Sequence, residues 1–257
     1  MVVFVPFVAP GDVIDIQLTR KKHSYAEGKA VHFHEYSSQR AVPFCEHFGV
    51  CGGCKWQNLP YDEQLRFKTE QVRDQLTRIG KIELPEIAPC LGSAQTQFYR
   101  NKLEFTFADR RWLTREEIES AGDIGDAPAV GFHIPSMFDK VLDIDKCWLQ
   151  PDPSNGIRTE ARRFCIENGY TFHNARSHEG LMRNMIVRTA STGEVMVIVV
   201  FNSDDRPRIT ALLDHLSAAF PEITSLFYIV NTKFNDSVGD LDPVCYRGKD
   251  HIIEEME

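Results

Sequence analysis

The sequence has no apolar run approaching the roughly 20 residues that cross a bilayer, so no spanning helix and no membrane partner is expected. It also lacks a basic leader. The start, Met1-Val-Val-Phe-Val-Pro-Phe-Val-Ala-Pro-Gly11, is apolar but contains two prolines and runs straight into strand-like sequence, unlike a signal peptide. Internal repeats and low-complexity segments are missing. Positive charge is in deficit. The 29 Lys and Arg against 37 Asp and Glu leave a net charge of −8, which excludes an indiscriminate polyanion binder but not a local basic face. Nor are the cysteines scattered as in a small disulfide framework. Three of seven fall within ten residues of a 257-residue chain, which points to a reduced, cytoplasmic protein with a metal site.

The apolar patterning divides the chain at the cysteines. Residues 1–44 read as short strands, with β-rich runs at 2–5, 13–18 and 29–33 and turn chemistry at Pro10-Gly11-Asp12. Strands without a helix suggest part of a small barrel. Residues 45–58 form a cysteine- and glycine-rich loop. Leu65, Val72, Leu76 and Ile79 then recur at helical spacing, with Pro60 at the start and Gly80 at the stop. Further on, helices are expected at 153–168 and 207–220. Strands are expected at 98–107, 129–134, 140–144, 185–190, 195–201 and 226–230, with a hairpin signal at Ser191-Thr192-Gly193-Glu194. Hairpins mixed with two helices predict an antiparallel-sheet α+β domain over 45–257.

Cys45-x5-Cys51-x2-Cys54 places three soft thiolate ligands on one tight loop. Gly49, Gly52 and Gly53 let that backbone fold around a bulky ligand. Structural zinc usually shows two separated pairs of ligands, whereas three together and one distant is the arithmetic of several ferredoxin-type sites. Chemistry alone leaves the fourth ligand open. Cys90 and Cys147 both sit in loops, Cys165 reads as helix core, Cys245 lies in a late strand, and His47 inside the motif could substitute.

The run Pro43-Phe-Cys45-Glu-His-Phe-Gly-Val-Cys51-Gly-Gly-Cys54-Lys-Trp-Gln57 resembles the cluster loop of the RNA uridine-5-methyltransferases that carry an N-terminal TRAM domain. Val3-Phe4-Val5-Pro6 with Pro10-Gly11-Asp12 is similar to the middle of a TRAM barrel, an oligonucleotide-binding-like fold. Tyr99-Arg100-Asn101-Lys102 resembles a strand of the same family, and Leu181-Met-Arg183-Asn-Met-Ile-Val-Arg188 its central hairpin. The resemblance implies a partial barrel over 1–44, Cys147 as fourth ligand, and a four-iron four-sulfur cluster on Cys45, Cys51, Cys54 and Cys147.

The Gly-rich S-adenosylmethionine loop, the Asp-Pro-Pro-Arg run and the nucleophilic cysteine of that family have no counterpart here. The expectation is therefore an RNA-recognition and iron–sulfur portion of a methyltransferase. It would lack the Rossmann-like catalytic domain and be inactive by itself, with S-adenosylmethionine used only by the full-length parent. Arg100, Lys102, Arg183 and Arg188 are the candidate RNA contacts, and ribosomal RNA is the favoured partner. Arg183 and Arg188 are five apart on a strand and should lie on opposite faces. From other classes, a ferredoxin-like redox module or a zinc-stabilised binding module would also use clustered thiolates.

Overall fold

The computed structural model describes residues 1–121, 127–135 and 137–256. It divides into two compact units. One comprises Met1–Gly49 and Cys54–Thr96, the other Val50–Gly53 and Gln97–Glu257.

The first unit holds a three-stranded sheet in the order β1-β3-β2, from β1 (Val2–Phe4), β2 (Val13–Lys21) and β3 (Tyr25–Glu35). β2 and β3 are antiparallel with repeated register shifts, and β1 adds to β3 in parallel. Each shift bends the ribbon, as a small curved sheet requires. The turn before β2 is pinned by Asp12, whose carboxylate accepts from the amides of Ala9 and Ser37 and pairs with Arg40 at 2.8 and 2.7 Å. The expected helix is present as α1 (Tyr61–Asp74), and a π-helical turn over Gln75–Ile79 continues it. Glu63, Arg66 and Glu70 form an i,i+3 and i,i+4 ion-pair ladder along its surface.

The second unit is a seven-stranded sheet in the order β10-β9-β8-β7-β4-β5-β6. Its strands are β4 (Lys102–Ala108), β5 (Ala129–Ile134), β6 (Met137–Asp143), β7 (Met182–Thr189), β8 (Val195–Phe201), β9 (Ile223–Val230) and β10 (Val244–Gly248). Among the described residues three helices belong to it: α2 (Arg115–Ala121), α3 (Ser154–Glu167) and α4 (Arg206–Ala219). The alternation Leu103, Phe105, Phe107 on β4 and Met185, Val187 on β7 defines one wholly buried face. α3 sends Ile157, Ala161 and Cys165 into the core, and α4 sends Ile209, Leu212, Leu213 and Leu216. Each such aliphatic side chain contributes roughly 1.5–3 kcal/mol by leaving water.

The expectation of an antiparallel α+β sheet is corrected. β8 and β9 run parallel, from Val195 against Ile223 to Phe201 against Val230 with a one-residue register shift after Val195, and α4 is the crossover between them. A parallel pair cannot be closed by a tight hairpin and needs a crossover connection, which α4 supplies here. The hairpin signal at Ser191–Glu194 describes β7–β8 alone, and the sheet as a whole is mixed α/β.

Candidate functional site

The candidate thiols occur in both units, and each group has its own supports. In the first unit the Cys45 amide donates to Gln57 Oε1 at 3.2 Å, and the Cys45 carbonyl accepts from the Phe48 amide. Burial pushes the Cys45 thiol upward, and the neighbouring Cys54 adds to the shift. Burial and a like-charged neighbour both disfavour a thiolate that has no cation beside it. In the second unit the Gly53 amide donates to Cys51 Sγ at 3.3 Å. Gly52 has no room for a side chain, because a Cβ there would stand 2.9 Å from the His133 carbonyl oxygen. Cys147 is buried, and Asn155 from the first turn of α3 clamps its backbone on both sides. Asn155 Oδ1 accepts from its amide at 2.8 Å, and Nδ2 donates to its carbonyl at 3.0 Å. The remaining thiols differ: Cys90 and Cys245 are exposed, and Cys165 is fully buried among apolar neighbours.

The candidate basic residues separate sharply. Lys102 and Arg188 lie directly opposite one another on the antiparallel β4 and β7, so their side chains leave the same face. Both are exposed. Arg100 precedes β4 and is also exposed, with its amide bonded to the Leu149 carbonyl at 2.8 Å. Among the described residues none of the ion pairs involves these three. Glu104 sits one pleat along from Lys102, opposite Ile186.

Arg183 lies elsewhere. Its side chain is 1% exposed, and it donates to the carbonyls of Asn231 and Lys233 at 2.7 and 2.6 Å. It also donates to the Asn235 carbonyl at 3.1 Å and to the Asp236 carboxylate at 2.8 Å. A guanidinium is one of the few groups that can fill four acceptors from a rigid fork, and here it knits the loop after β9. Sequence reasoning could not separate Arg183 from Arg188, because its partners stand some 50 residues downstream. It also missed Asn155, although an Asn-Gly pair opening a helix is a signal of local side-chain bonding.

With these features in place, the chain can be set beside known proteins. No family model matches it. Its relatives are named RNA methyltransferases. An uncharacterized RNA methyltransferase of Bacteroides thetaiotaomicron is 58% identical over 260 residues, covering 100% of this chain and 57% of that protein. One from Porphyromonas gingivalis is 51% identical over 264 residues, covering 100% of this chain and 56% of that protein. Among solved structures, the Pyrococcus abyssi tRNA (uracil-54, C5)-methyltransferase in complex with S-adenosyl-L-homocysteine superposes with a TM-score of 0.65 at 27% identity. The match covers 98% of this chain and 52% of that one. The chain thus spans about half the length of the relatives it matches. Over that part of their length it is similar to proteins named RNA methyltransferases and to a solved tRNA uracil-5-methyltransferase.

The matches overturn two expectations. An α+β piece standing apart from a methyltransferase fold is not what is found, since the mixed sheet and its helices superpose on a methyltransferase along 98% of the chain. The reading of an RNA-binding portion that is inactive by itself is corrected with it, and the ferredoxin-like and zinc-module alternatives find no support among relatives that are all named methyltransferases. Among the described residues no helix is long and apolar enough to cross a membrane.

Proposed function

We propose that this chain serves an S-adenosylmethionine-dependent RNA methyltransferase acting on carbon 5 of a uridine. The observation that carries the proposal is the likeness, along the whole chain, to RNA methyltransferases and to a solved tRNA uracil-5-methyltransferase. S-adenosyl-L-homocysteine in that neighbour supports S-adenosylmethionine as the donor, which supplies the methyl group when bound; no residue here is assigned to holding it.

The chain's own residues are proposed to work on the RNA. Arg100, Lys102 and Arg188 are exposed cations that can bridge phosphates or stack on splayed bases, as single-stranded RNA is usually held. Arg183 acts one step removed, through the loop it binds. Residues 1–44 are read as part of a TRAM-type barrel, which the curved, register-shifted β2–β3 ribbon supports. Cys45, Cys51, Cys54 and Cys147 are proposed to hold a four-iron four-sulfur cluster. The donor chemistry fits: two local groups of thiols, one thiol disfavoured as a lone thiolate, and an amide already donating to Cys51 sulfur. Methyl addition to uracil needs no electron transfer, so the cluster's role is structural. Ribosomal RNA in the cytoplasm is the favoured setting, with tRNA, the substrate named for the solved neighbour, as the alternative.

The test supplies the intact protein with S-adenosylmethionine and either RNA, then digests the product for nucleoside mass spectrometry. Methylated uridine co-migrating with 5-methyluridine supports the proposal. Methyl groups on another base or atom, or none on either RNA, overturn it.

A further inference from the structure

The loop that Arg183 knits together holds out a single aromatic side chain. Phe234 is 79% exposed, yet its ring rests on that of His178, with centroids 4.6 Å apart. His178 is itself fixed. It takes the left-handed backbone conformation at φ 60°, which a non-glycine residue keeps only under constraint. Its amide donates to the Asn174 carbonyl at 2.8 Å, and its carbonyl accepts from Asn202 Nδ2 at 3.0 Å. His173 stands behind it, with ring centroids 6.1 Å apart.

A lone exposed phenylalanine is ordinary on a protein surface. This one differs in how it is held. The carbonyls that accept from Arg183 belong to Asn231, Lys233 and Asn235, so the buried guanidinium grips the chain on both sides of residue 234. The exposed residues within three positions of it, Thr232, Asn235, Asp236 and Ser237, are polar. Along the chain Phe234 is thus flanked by polar residues, unlike the dry centre of a protein interface. What fits a rigid, isolated ring in water is another flat ring. The turn that carries His178 also lines a cleft of about 320 Å³, where Arg110 and Lys140 stand beside Asp109 and Asn174, and Arg176 is paired with Asp139 at 2.6 Å. Cations beside an aromatic platform are what a nucleotide, with its phosphate and its base, requires.

We propose that Phe234, backed by His178 and positioned by Arg183, is a stacking platform for one unpaired base of the RNA substrate. The inference rests on the RNA methyltransferase reading and adds to it a base contact distinct from the Lys102–Arg188 face.

The experiment titrates the intact protein with a fluorescent RNA hairpin containing an unpaired loop, and with the same hairpin made abasic at one loop position at a time. Base–aromatic stacking predicts that Phe234→Ala weakens binding about tenfold while Phe234→Tyr stays within about twofold. The salt dependence should not change, because an uncharged ring neutralises no phosphate. At one loop position the abasic hairpin should bind wild type and Phe234→Ala equally. The melting temperature should be unchanged for so exposed a residue. Wild-type affinity in Phe234→Ala, or an equal loss against every abasic hairpin, overturns the platform. If Lys102→Ala/Arg188→Ala loses binding while Phe234→Ala does not, only the platform falls. If the wild type binds no RNA, the functional reading falls with it.

Discussion

Lys102 and Arg188 face one another across the β4–β7 ladder, two exposed cations on directly opposed positions of antiparallel strands. Like charges so placed repel, which costs the sheet a little and is tolerable only in water or beside an anion. The arrangement is what a phosphodiester would neutralise.

Replacing both Lys102 and Arg188 with alanine should weaken binding of single-stranded RNA and flatten its salt dependence. Because two fewer phosphates would be neutralised, the slope of log affinity against log salt should become shallower by about 1.4. Filter binding across a salt series measures it, and an unchanged slope would remove the pair from the interface.

Arg183→Met should destabilise the second unit by about 3 kcal/mol, because carbonyls of Asn231, Lys233 and Asn235 would be left without their donor inside the protein. Arg183→Lys should recover only part of this, since an ammonium cannot reproduce the planar fork. Urea denaturation of the three proteins gives the comparison. A loss within about 0.5 kcal/mol, the usual range of surface substitutions, would mean that Arg183 does not hold the loop.

The proposed four-iron four-sulfur cluster predicts about four iron and four acid-labile sulfide per chain, and Cys51→Ser and Cys147→Ser should each lower that content and reduce the melting temperature. Cys90→Ser, at an exposed thiol, should leave both unchanged. Full iron content in Cys147→Ser would reassign the fourth ligand.

Asp12 predicts an acid-sensitive first unit. The Arg40 guanidinium, with help from the amides of Ala9 and Ser37, holds the Asp12 carboxyl at about 2 against its ordinary 3.8, despite burial that opposes the shift. A carboxyl depressed in the folded state stabilises fully above its unfolded value. That contribution should disappear as pH falls from about 3.8 to about 2. Asp12→Asn should be less stable than wild type at neutral pH, and the difference should shrink over that window. Circular dichroism melts at stepped pH are the measurement, and a constant difference would contradict the assignment.

Much of the local structure was legible because it follows from short-range chemistry. The helical spacing from Leu65 to Ile79 led to α1 and its π-helical extension, and the apolar run Val195–Phe201 is β8 as read. α2 went unread although Thr114 and Glu117 carry its capping box, each side chain bonding the other's amide. Parallel pairing of β8 with β9 was not legible from the helix between them, since α2 lies likewise between β4 and β5, which pair antiparallel. The four basic residues looked alike in the sequence. Only packing distinguishes them, since β7 pleats Arg188 outward and turns Arg183 toward a loop that the chain forms 50 residues later.

By itself the sequence determined the thiol-rich loop, α1, α3, α4 and most of the strands, and the likeness to uridine methyltransferases, because these depend on residue types at fixed spacing. The tertiary structure alone decided the mixed sheet, the opposition of Lys102 and Arg188, and the burial of Arg183 beneath an exposed Phe234. Such relationships join residues distant in the chain, and only the folded backbone sets how far apart they stand.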